Sequence, residues 1–306
     1  MFYDLIIIGG GPAGITTGIY AARKKLNTLL ITKEFGGQVS KGHEITNYPG
    51  ITMTMGVELM EKFVEHLKKF DIEIKEGKNV RELNKTNKGF EVILEDREKL
   101  ESKTIIIASG KNPRPLKVPG EERLVGKGVT YCSICDAPLF KEKDVAVIGG
   151  GNSGLDTALD LTKYANKIYV IEFMDKLLGD ESTQEKLKAS GKVELITNAA
   201  TKEIKGDKLL ESLVYEDKKS GEMKELKVQG VFVEIGYVPS SGFIKDLVEF
   251  NKVGEIMINP KDNSTKTPGV FAAGDVTDIF YKRIVIAAAE GAKAALSTYE
   301  YLTKIK

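Results

Sequence analysis

One phrase of this 306-residue sequence is written twice, and that repetition limits the folds open to the chain more than any other feature. Asp4-Leu5-Ile6-Ile7-Ile8-Gly9-Gly10-Gly11-Pro12-Ala13-Gly14 opens the chain, and Val145-Ala146-Val147-Ile148-Gly149-Gly150-Gly151-Asn152-Ser153-Gly154 restates it. An unbroken apolar run predicts a strand buried on both faces, as in a parallel sheet, and the glycines after it predict a tight turn into a helix. Each copy is followed by a second shared phrase, Ile105-Ile106-Ile107-Ala108-Ser109-Gly110-Lys111-Asn112-Pro113 in the first and Val231-Phe232-Val233-Glu234-Ile235-Gly236-Tyr237-Val238-Pro239 in the second. Both end Gly-x-x-Pro after a strand, and the prolines deny a helix to the residue before them. Recurrence of both phrases in one order predicts two nucleotide-binding units, the second inserted into the first, with boundaries near residues 114 and 242.

In the first unit a small-residue helix over 15–23 and a second apolar strand over 28–31 complete a βαβ arrangement. Gly9 permits the turn, Gly11 lets the backbone approach a pyrophosphate, and Gly14 lets helix and strand pack closely. Three glycines alone are weak evidence, but here strand, helix and second strand lie where the fingerprint needs them. For the acid that binds ribose hydroxyls, Thr32 at the strand end and Glu34 two residues beyond are both candidates. Gly36-Gly37-Gln38 suits either a turn passing close to a ligand or a loop with none. In the second unit a strand over 167–171 ends in Glu172, eighteen residues beyond Gly154, where a ribose-binding acid is wanted. A plain surface glutamate is the alternative.

The only two cysteines, Cys132 and Cys135, are spaced Cys-x-x-Cys, which brings two sulfurs within disulfide reach across one turn, and Asp136 follows directly. A dithiol between two nucleotide signatures points to electrons passing from one cofactor to another and then to sulfur. Zinc is the competing reading. A structural zinc site needs four ligands, and the only histidines are His43 and His66, so no metal is expected. Two cysteines this close cannot staple a fold of this size, which favours a cycling dithiol in a reducing compartment. Lys and Arg total 45 against 44 Asp and Glu, so no global field recruits nucleic acid or anionic lipid. No apolar run approaches the roughly 20 residues of a membrane span, and the N-terminus enters a strand without a basic, apolar leader; a cytoplasmic location is expected.

Residues 56–70 predict an amphipathic helix with Leu59, Phe63, Leu67 and Phe70 on one stripe, His66 at its border. Residues 77–96 alternate as an antiparallel meander would. Near the C-terminus, Val270-Phe271-Ala272-Ala273-Gly274-Asp275 predicts a strand, with an alanine-rich helix over 284–302 after it. That places Asp275 near a helix start, as an acceptor for a polyol hydroxyl or simply a cap. No serine, histidine and carboxylate arrangement can be built from these two histidines.

Taken together, residues 9–14, Gly36-Gly37-Gln38, Asn47-Tyr48-Pro49-Gly50, 132–136, 149–154, and 269–275 with Tyr281-Lys282-Arg283-Ile284 resemble the low-molecular-weight thioredoxin reductases and the similar flavoprotein portion of the alkyl hydroperoxide reductase flavoprotein, AhpF. The resemblance implies an α/β fold of two Rossmann-like, three-layer ββα dinucleotide-binding domains. An FAD domain would occupy residues 1–113 and 243–306, and a pyridine-nucleotide domain carrying the dithiol residues 114–242. It implies a homodimer, and a thioredoxin-like or glutaredoxin-like protein as electron acceptor. A peroxiredoxin system or a small disulfide is an alternative acceptor, and a redox sensor without turnover an alternative of another class.

By the same resemblance the adenosine end of FAD lies over Gly9, Gly11, Pro12, Ala13 and Gly14 and near Glu34. Gly37, Gln38 and Asn47 lie nearer the flavin, Asp275 beside Gly274 holds the ribitol, and Arg283 and Ile284 run along the isoalloxazine. Gly110 joins this set. Gly149, Gly151, Asn152, Ser153, Gly154, Glu172 and Gly236 hold the pyridine nucleotide. Cys135 would face the flavin, Cys132 would be its disulfide partner, and Asp136 the acid that protonates a leaving thiolate or the reduced flavin. Two departures stand out. Where NADPH enzymes of the family carry His-Arg-Arg-x-x-x-Arg, this chain has Glu172-Phe173-Met174-Asp175-Lys176-Leu177-Leu178, so NADH is expected to be preferred over NADPH. After the dithiol stands Ala137-Pro138-Leu139, where Gly-Phe-Phe or Gly-Pro-Phe is usual.

Overall fold

A computed structural model describes residues 2–40, 44–132, 136–244 and 246–304. The chain divides into two compact units, Met1–Asn112 with Val238–Lys306, and Pro113–Tyr237.

The first unit is built on a sheet in which Glu73–Glu76, Thr28–Phe35, Phe2–Gly10 and Lys99–Ile107 run side by side in that order, all parallel. Lys99–Ile107 is long enough to belong to two layers. Its first half pairs antiparallel with Gly89–Leu94, which pairs in turn with Val80–Thr86, and its last three residues pair parallel with Val270–Ala272. The strand period of two decides what each face meets. Leu5, Ile7, Leu30, Ile106 and Phe271 point into a core shared with the helices, whereas Ile6, Ile8, Ile31, Ile105 and Ile107 pack against Leu83, Phe90 and Val92 of the meander. That is why the strands read as unbroken apolar runs: both faces are covered.

Helix Pro12–Arg23 starts three residues earlier than the small-residue pattern suggests, because Pro12 is pre-set for the first helical position and has no N–H to lose there. Its buried side is Ala13, Gly14, Ile15, Thr17, Gly18, Ile19 and Ala21, small enough for the helix Ile284–Lys304 to come close. A Cβ on Gly291 of that second helix would sit 2.1 Å from the Ala13 carbonyl oxygen. The amphipathic helix ends at Leu67 and spans Gly56–Leu67.

The second unit repeats the plan. Val129–Thr130, Gly230–Val233, Asp144–Ile148, Lys167–Ile171 and Val193–Ile196 form a five-stranded parallel sheet in that order. Val145, Val147, Val170 and Phe232 face Leu155, Ala158 and Leu161 of the helix Asn152–Leu161. Ala146, Ile148, Val231 and Val233 face Leu213, Tyr215 and Leu226 of an antiparallel layer made by Ala199–Gly206, Leu210–Asp217 and Met223–Lys227. Both units are thus three layers, helices on one face of a parallel sheet and antiparallel strands on the other, in the manner of Rossmann-type dinucleotide-binding domains.

Candidate functional site: two glycine turns and a dithiol

The two glycine turns have one geometry. Gly9 and Gly149 have φ of 120° and 117°, in a region closed to other residues. A Cβ at Gly14 would lie 1.8 Å from the Gly9 carbonyl oxygen, and one at Gly154 would lie 1.9 Å from that of Gly149. Each helix therefore sits on its own turn with no room for a methyl group. Gly11 and Gly151 differ from these: a Cβ there would meet nothing within 4 Å. Both stand at the N-caps of their helices, whose first N–H groups have no partner within the helix. Two open glycines over two helix N-termini fit two dinucleotide diphosphates.

In the first unit the structure gathers most of the residues expected around FAD. Gly37 opens the short helix Gly37–Ser40 and lies against Gly11, where its Cβ would come within 3.8 Å of the Gly11 Cα. Gly274 lies over the helix start, with its Cβ position 2.9 Å from the Ala13 Cβ. Next to it the Asp275 carboxylate forms an ion pair with Lys111 at 3.3 Å, and the Gln38 side-chain amide donates to the Lys111 carbonyl at 3.2 Å. Lys111 thus joins this group, although no motif marks it. Asp275 itself lies in the short turn Gly274–Val276, and the next helix begins at Ile284; the Cβ position of Gly274 is also 3.6 Å from the Ala287 Cβ in the first turn of that helix. The intervening loop carries Arg283, whose guanidinium donates to the Lys282 carbonyl at 2.9 Å. Gly110, at φ of 69°, has open space at its Cβ position, and Asn47 is exposed.

The choice between Thr32 and Glu34 is sharpened by the second unit. A Cβ on Gly10 would meet the Thr32 hydroxyl at 2.5 Å, and one on Gly150 would meet the Glu172 carboxylate at 2.8 Å. Thr32 and Glu172 therefore occupy the same place in the two repeats. Thr32 is buried and its hydroxyl donates to the Glu34 carbonyl at 2.6 Å, while the Glu34 side chain is exposed.

Glu172 is only 8% exposed. Its carboxylate accepts the Gly150 N–H at 2.6 Å and the Met174 N–H at 2.8 Å. A carboxylate has about four lone-pair positions, so these two bonds fix it beside the glycine turn and leave capacity for two hydroxyls. The segment after Glu172 folds back over the same turn: Leu178 and Gly179 both donate to the Gly150 carbonyl at 2.9 Å, and Asp180 N–H donates to the Asn152 side chain at 2.8 Å. Ser153 is exposed on the first helical turn, and Gly236, at φ of 91°, is open.

The dithiol segment follows Val129–Thr130. Cys132 is disulfide-bonded and half-buried. Cys135 lies outside the described residues. Asp136 is held from one side by Thr130, whose hydroxyl donates to its carboxylate while accepting the Cys132 N–H at 3.1 Å. The residue between, Tyr131, donates its phenol at 2.6 Å to Glu121. Glu121 is buried and also accepts the Leu116 and Lys117 N–H groups at 2.7 and 2.6 Å, so its charge is matched by three donors. Burial first, then that bond to Glu121, pushes the Tyr131 phenol well above its ordinary value. After Asp136 the short helix Ala137–Phe140 is anchored by Phe140, which lies edge-on to Phe232 at 5.2 Å over Gly230. Burying that ring contributes roughly 1.5–3 kcal/mol, enough to hold the segment to the sheet. Thr130, Glu121 and Phe140 carry no motif of their own, and only the fold reveals their part.

Two parallel-sheet units, each with an open glycine turn, and a disulfide-bonded cysteine are features that a dinucleotide-dependent disulfide oxidoreductase would need. The profile of the pyridine nucleotide-disulphide oxidoreductase family matches residues 3–292, and the chain belongs to that family. Within it the relationship lies with thioredoxin reductases and the alkyl hydroperoxide reductase flavoprotein AhpF. The AhpF of Staphylococcus aureus strain MRSA252 is 43% identical over 302 residues, and that of Staphylococcus epidermidis strain RP62A 42% identical. The match covers 99% of this chain but only 59% of each relative's length. Thioredoxin reductase from Lactococcus lactis superposes with a TM-score of 0.85 at 36% identity, covering 99% of both chains. That from T. acidophilum gives 0.82, also at 36% identity, over 100% of this chain and 99% of its own. Among the described residues no helix is long and apolar enough to cross a membrane.

Proposed function

We propose that this chain is a flavin-dependent disulfide reductase: FAD, bound in the first unit, would take two electrons from a pyridine nucleotide in the second and supply them to the Cys132–Cys135 disulfide. The observation that carries this reading is the disulfide-bonded Cys132 inside a unit with its own glycine turn, beside a carboxyl group held by Thr130. Gly9, Gly11, Pro12, Ala13 and Gly14 cradle the flavin nucleotide's diphosphate, with Glu34, Gly37, Gln38, Asn47, Gly110, Gly274, Asp275, Arg283 and Ile284 along its length. Gly149, Gly151, Asn152, Ser153, Gly154, Glu172 and Gly236 hold the pyridine nucleotide. Two-electron opening of the Cys132–Cys135 disulfide leaves two sulfurs that take up protons, and Asp136 would pass a proton to one of them. A carboxyl group suits that task because it is placed within reach of the motif and fixed there by the Thr130 hydroxyl.

The acceptor is a thioredoxin-like or glutaredoxin-like protein disulfide. A second acceptor class, an alkyl hydroperoxide-reducing peroxiredoxin system, is supported by the 43% identity to AhpF. The working enzyme is a cytoplasmic homodimer in this reading. An assay of NADH consumption against purified thioredoxin-like and peroxiredoxin-type proteins separates the two acceptors, and no turnover with any disulfide would leave the sensor reading in place.

NADH is the preferred donor. Glu172 is already fixed by two backbone N–H groups, so it can accept both ribose hydroxyls but would meet a 2′-phosphate with a carboxylate. Each charged hydrogen bond that the absent arginines would supply is worth about 1.5–3 kcal/mol, and losing one costs NADPH about tenfold or more in affinity. Flavin reduction should show kcat/KM higher for NADH by about that factor. A ratio favouring NADPH would remove Glu172 from the ribose site.

A further inference from the structure

The repeat that relates the two units breaks at one chemically significant position. Ala108 and Glu234 are equivalent: their N–H groups donate at 2.8 Å to Ile8 and Ile148 respectively, one strand over. Their carbonyl oxygens lie 2.2 and 2.3 Å from the Cβ positions of Gly9 and Gly149, and their own Cβ atoms lie 3.6 and 3.7 Å from those of Gly14 and Gly154. The first unit therefore has a methyl group against the start of its nucleotide helix, and the second has a carboxyl group there. The threonines on those helices follow suit. Thr17 donates to the carbonyls of Ala13 and Gly291, whereas Thr157 turns its hydroxyl to Glu234 Oε1 at 3.1 Å.

The place is one where a ligand must pass. From Asp144–Ile148 the chain moves outward on one side to Lys167–Ile171 and Val193–Ile196, and it returns on the other side as Gly230–Val233. The crevice between Asp144–Ile148 and Gly230–Val233 is the switch point of the sheet, where open α/β sheets bind ligands beyond the strands' carboxyl ends. Glu234 is the first residue past that end.

We propose that Glu234 couples occupancy of the second unit to proton uptake: binding of the anionic dinucleotide at Gly149–Gly154 is accompanied by transfer of one proton from solvent to the Glu234 carboxylate. The proposal rests on the reading of Pro113–Tyr237 as the pyridine-nucleotide unit. Burial raises this carboxyl to about 7, with the Thr157 hydrogen bond opposing the rise, so both protonation states are accessible near neutrality. The charged groups on the elements around it include Arg114, whose backbone N–H donates to the Gly236 carbonyl at 2.9 Å, and Asp136, which accepts from Thr130 on the strand beside Gly230–Val233. On the helix, Asp156 is exposed and Asp160 pairs with Lys163 at 2.9 Å. On the neighbouring strands, Asp144 lies at the opposite end and accepts from Asn166, and Glu172 is held by Gly150 and Met174. Gly230–Val233 carries no ionisable side chain, and Tyr237 on the following segment adds only a phenol.

The sign follows from charge. An anion placed nearby raises the carboxyl's pKa further, so the bound form holds a proton that the free form loses as pH rises through about 7. The test is the Kd of the purified protein for NAD+ and for ADP-ribose from pH 6 to pH 8, with proton uptake read by calorimetry in buffers of different ionisation enthalpy. Wild type should weaken by about tenfold across that range with uptake of up to one proton. Glu234→Gln should bind with a flat profile near the wild-type low-pH affinity. Thr157→Val should keep the profile but move its midpoint to higher pH, because the lost hydroxyl favoured the charged form; a purely structural role would not shift a midpoint. A flat wild-type profile, or an unchanged one in Glu234→Gln, overturns the proposal. Absence of binding at every pH overturns the nucleotide assignment and the proposal with it.

Discussion

Replacing Cys132 by serine should abolish reduction of protein disulfides, by about a thousandfold or more, while flavin reduction by NADH proceeds at its wild-type rate. Serine is close in size, and the hydrogen bond that ties this position to Thr130 uses the backbone N–H, so the segment keeps its geometry. What is lost is the sulfur chemistry. Exchange requires a thiolate to attack a sulfur and another to leave, and a serine hydroxyl can do neither at neutral pH. Cys135→Ser should have the same outcome, since one cysteine cannot form or open the internal disulfide. Stopped-flow absorbance reports flavin reduction, and turnover with a protein disulfide reports the rest. Normal turnover in either mutant would mean that electrons leave by a route other than the dithiol.

The second large effect distinguishes the two glycine turns. Gly14→Ala and Gly154→Ala make the same clash, a methyl group at 1.8 and 1.9 Å from a backbone carbonyl oxygen, and backbone cannot swing aside as a side chain can. Each turn must open, and the helix N-terminus moves away from the diphosphate it faces. Gly14→Ala should therefore purify without flavin and fail to take it up. Gly154→Ala should purify yellow yet be reduced by NADH on the order of a hundredfold more slowly, because a displacement of about an ångström at a bound reactant costs that much. Flavin absorbance per chain and single-turnover reduction measure the two effects separately. If the phenotypes came out exchanged, the cofactors would have to be reassigned between the units.

Much of this is legible without coordinates, and for one reason: backbone demands are written in residue type. Gly9 and Gly149 need a positive φ, Gly14 and Gly154 need the absence of a Cβ, and buried parallel strands need unbroken apolar runs. Those requirements leave marks at fixed spacings, and the βαβ start of each unit can be read from them. Helix Ile284–Lys304 is legible from its alanine-rich pattern, and the meander from its alternation. Side-chain partners brought together by the fold leave no such mark. Thr130 is two residues from Cys132 and six from Asp136, yet nothing in Val-Thr-Tyr-Cys says that its hydroxyl joins the two. The Lys111–Asp275 pair spans most of the chain, and the equivalence of Thr32 with Glu172 shows only when both are seen against their glycines. The sequence puts Asp275 near a helix start but does not separate a capping acid from one held by a lysine, because the lysine, Lys111, is brought to it only by the fold. Glu234 stands within the repeated phrase, but its significance lies in the difference from Ala108, which a search for similarity passes over.

If two electrons from NADH reach the sulfurs through this one chain, anaerobic titration of the oxidised protein with NADH shows it most directly, with flavin absorbance followed and free thiols counted at each step. Wild type should take up about two NADH per chain, one for the flavin and one for the disulfide, with about two thiols appearing, and Cys132→Ser should take up about one NADH with no such gain. Wild type that bleaches its flavin after about one NADH and yields no thiols would contradict this route.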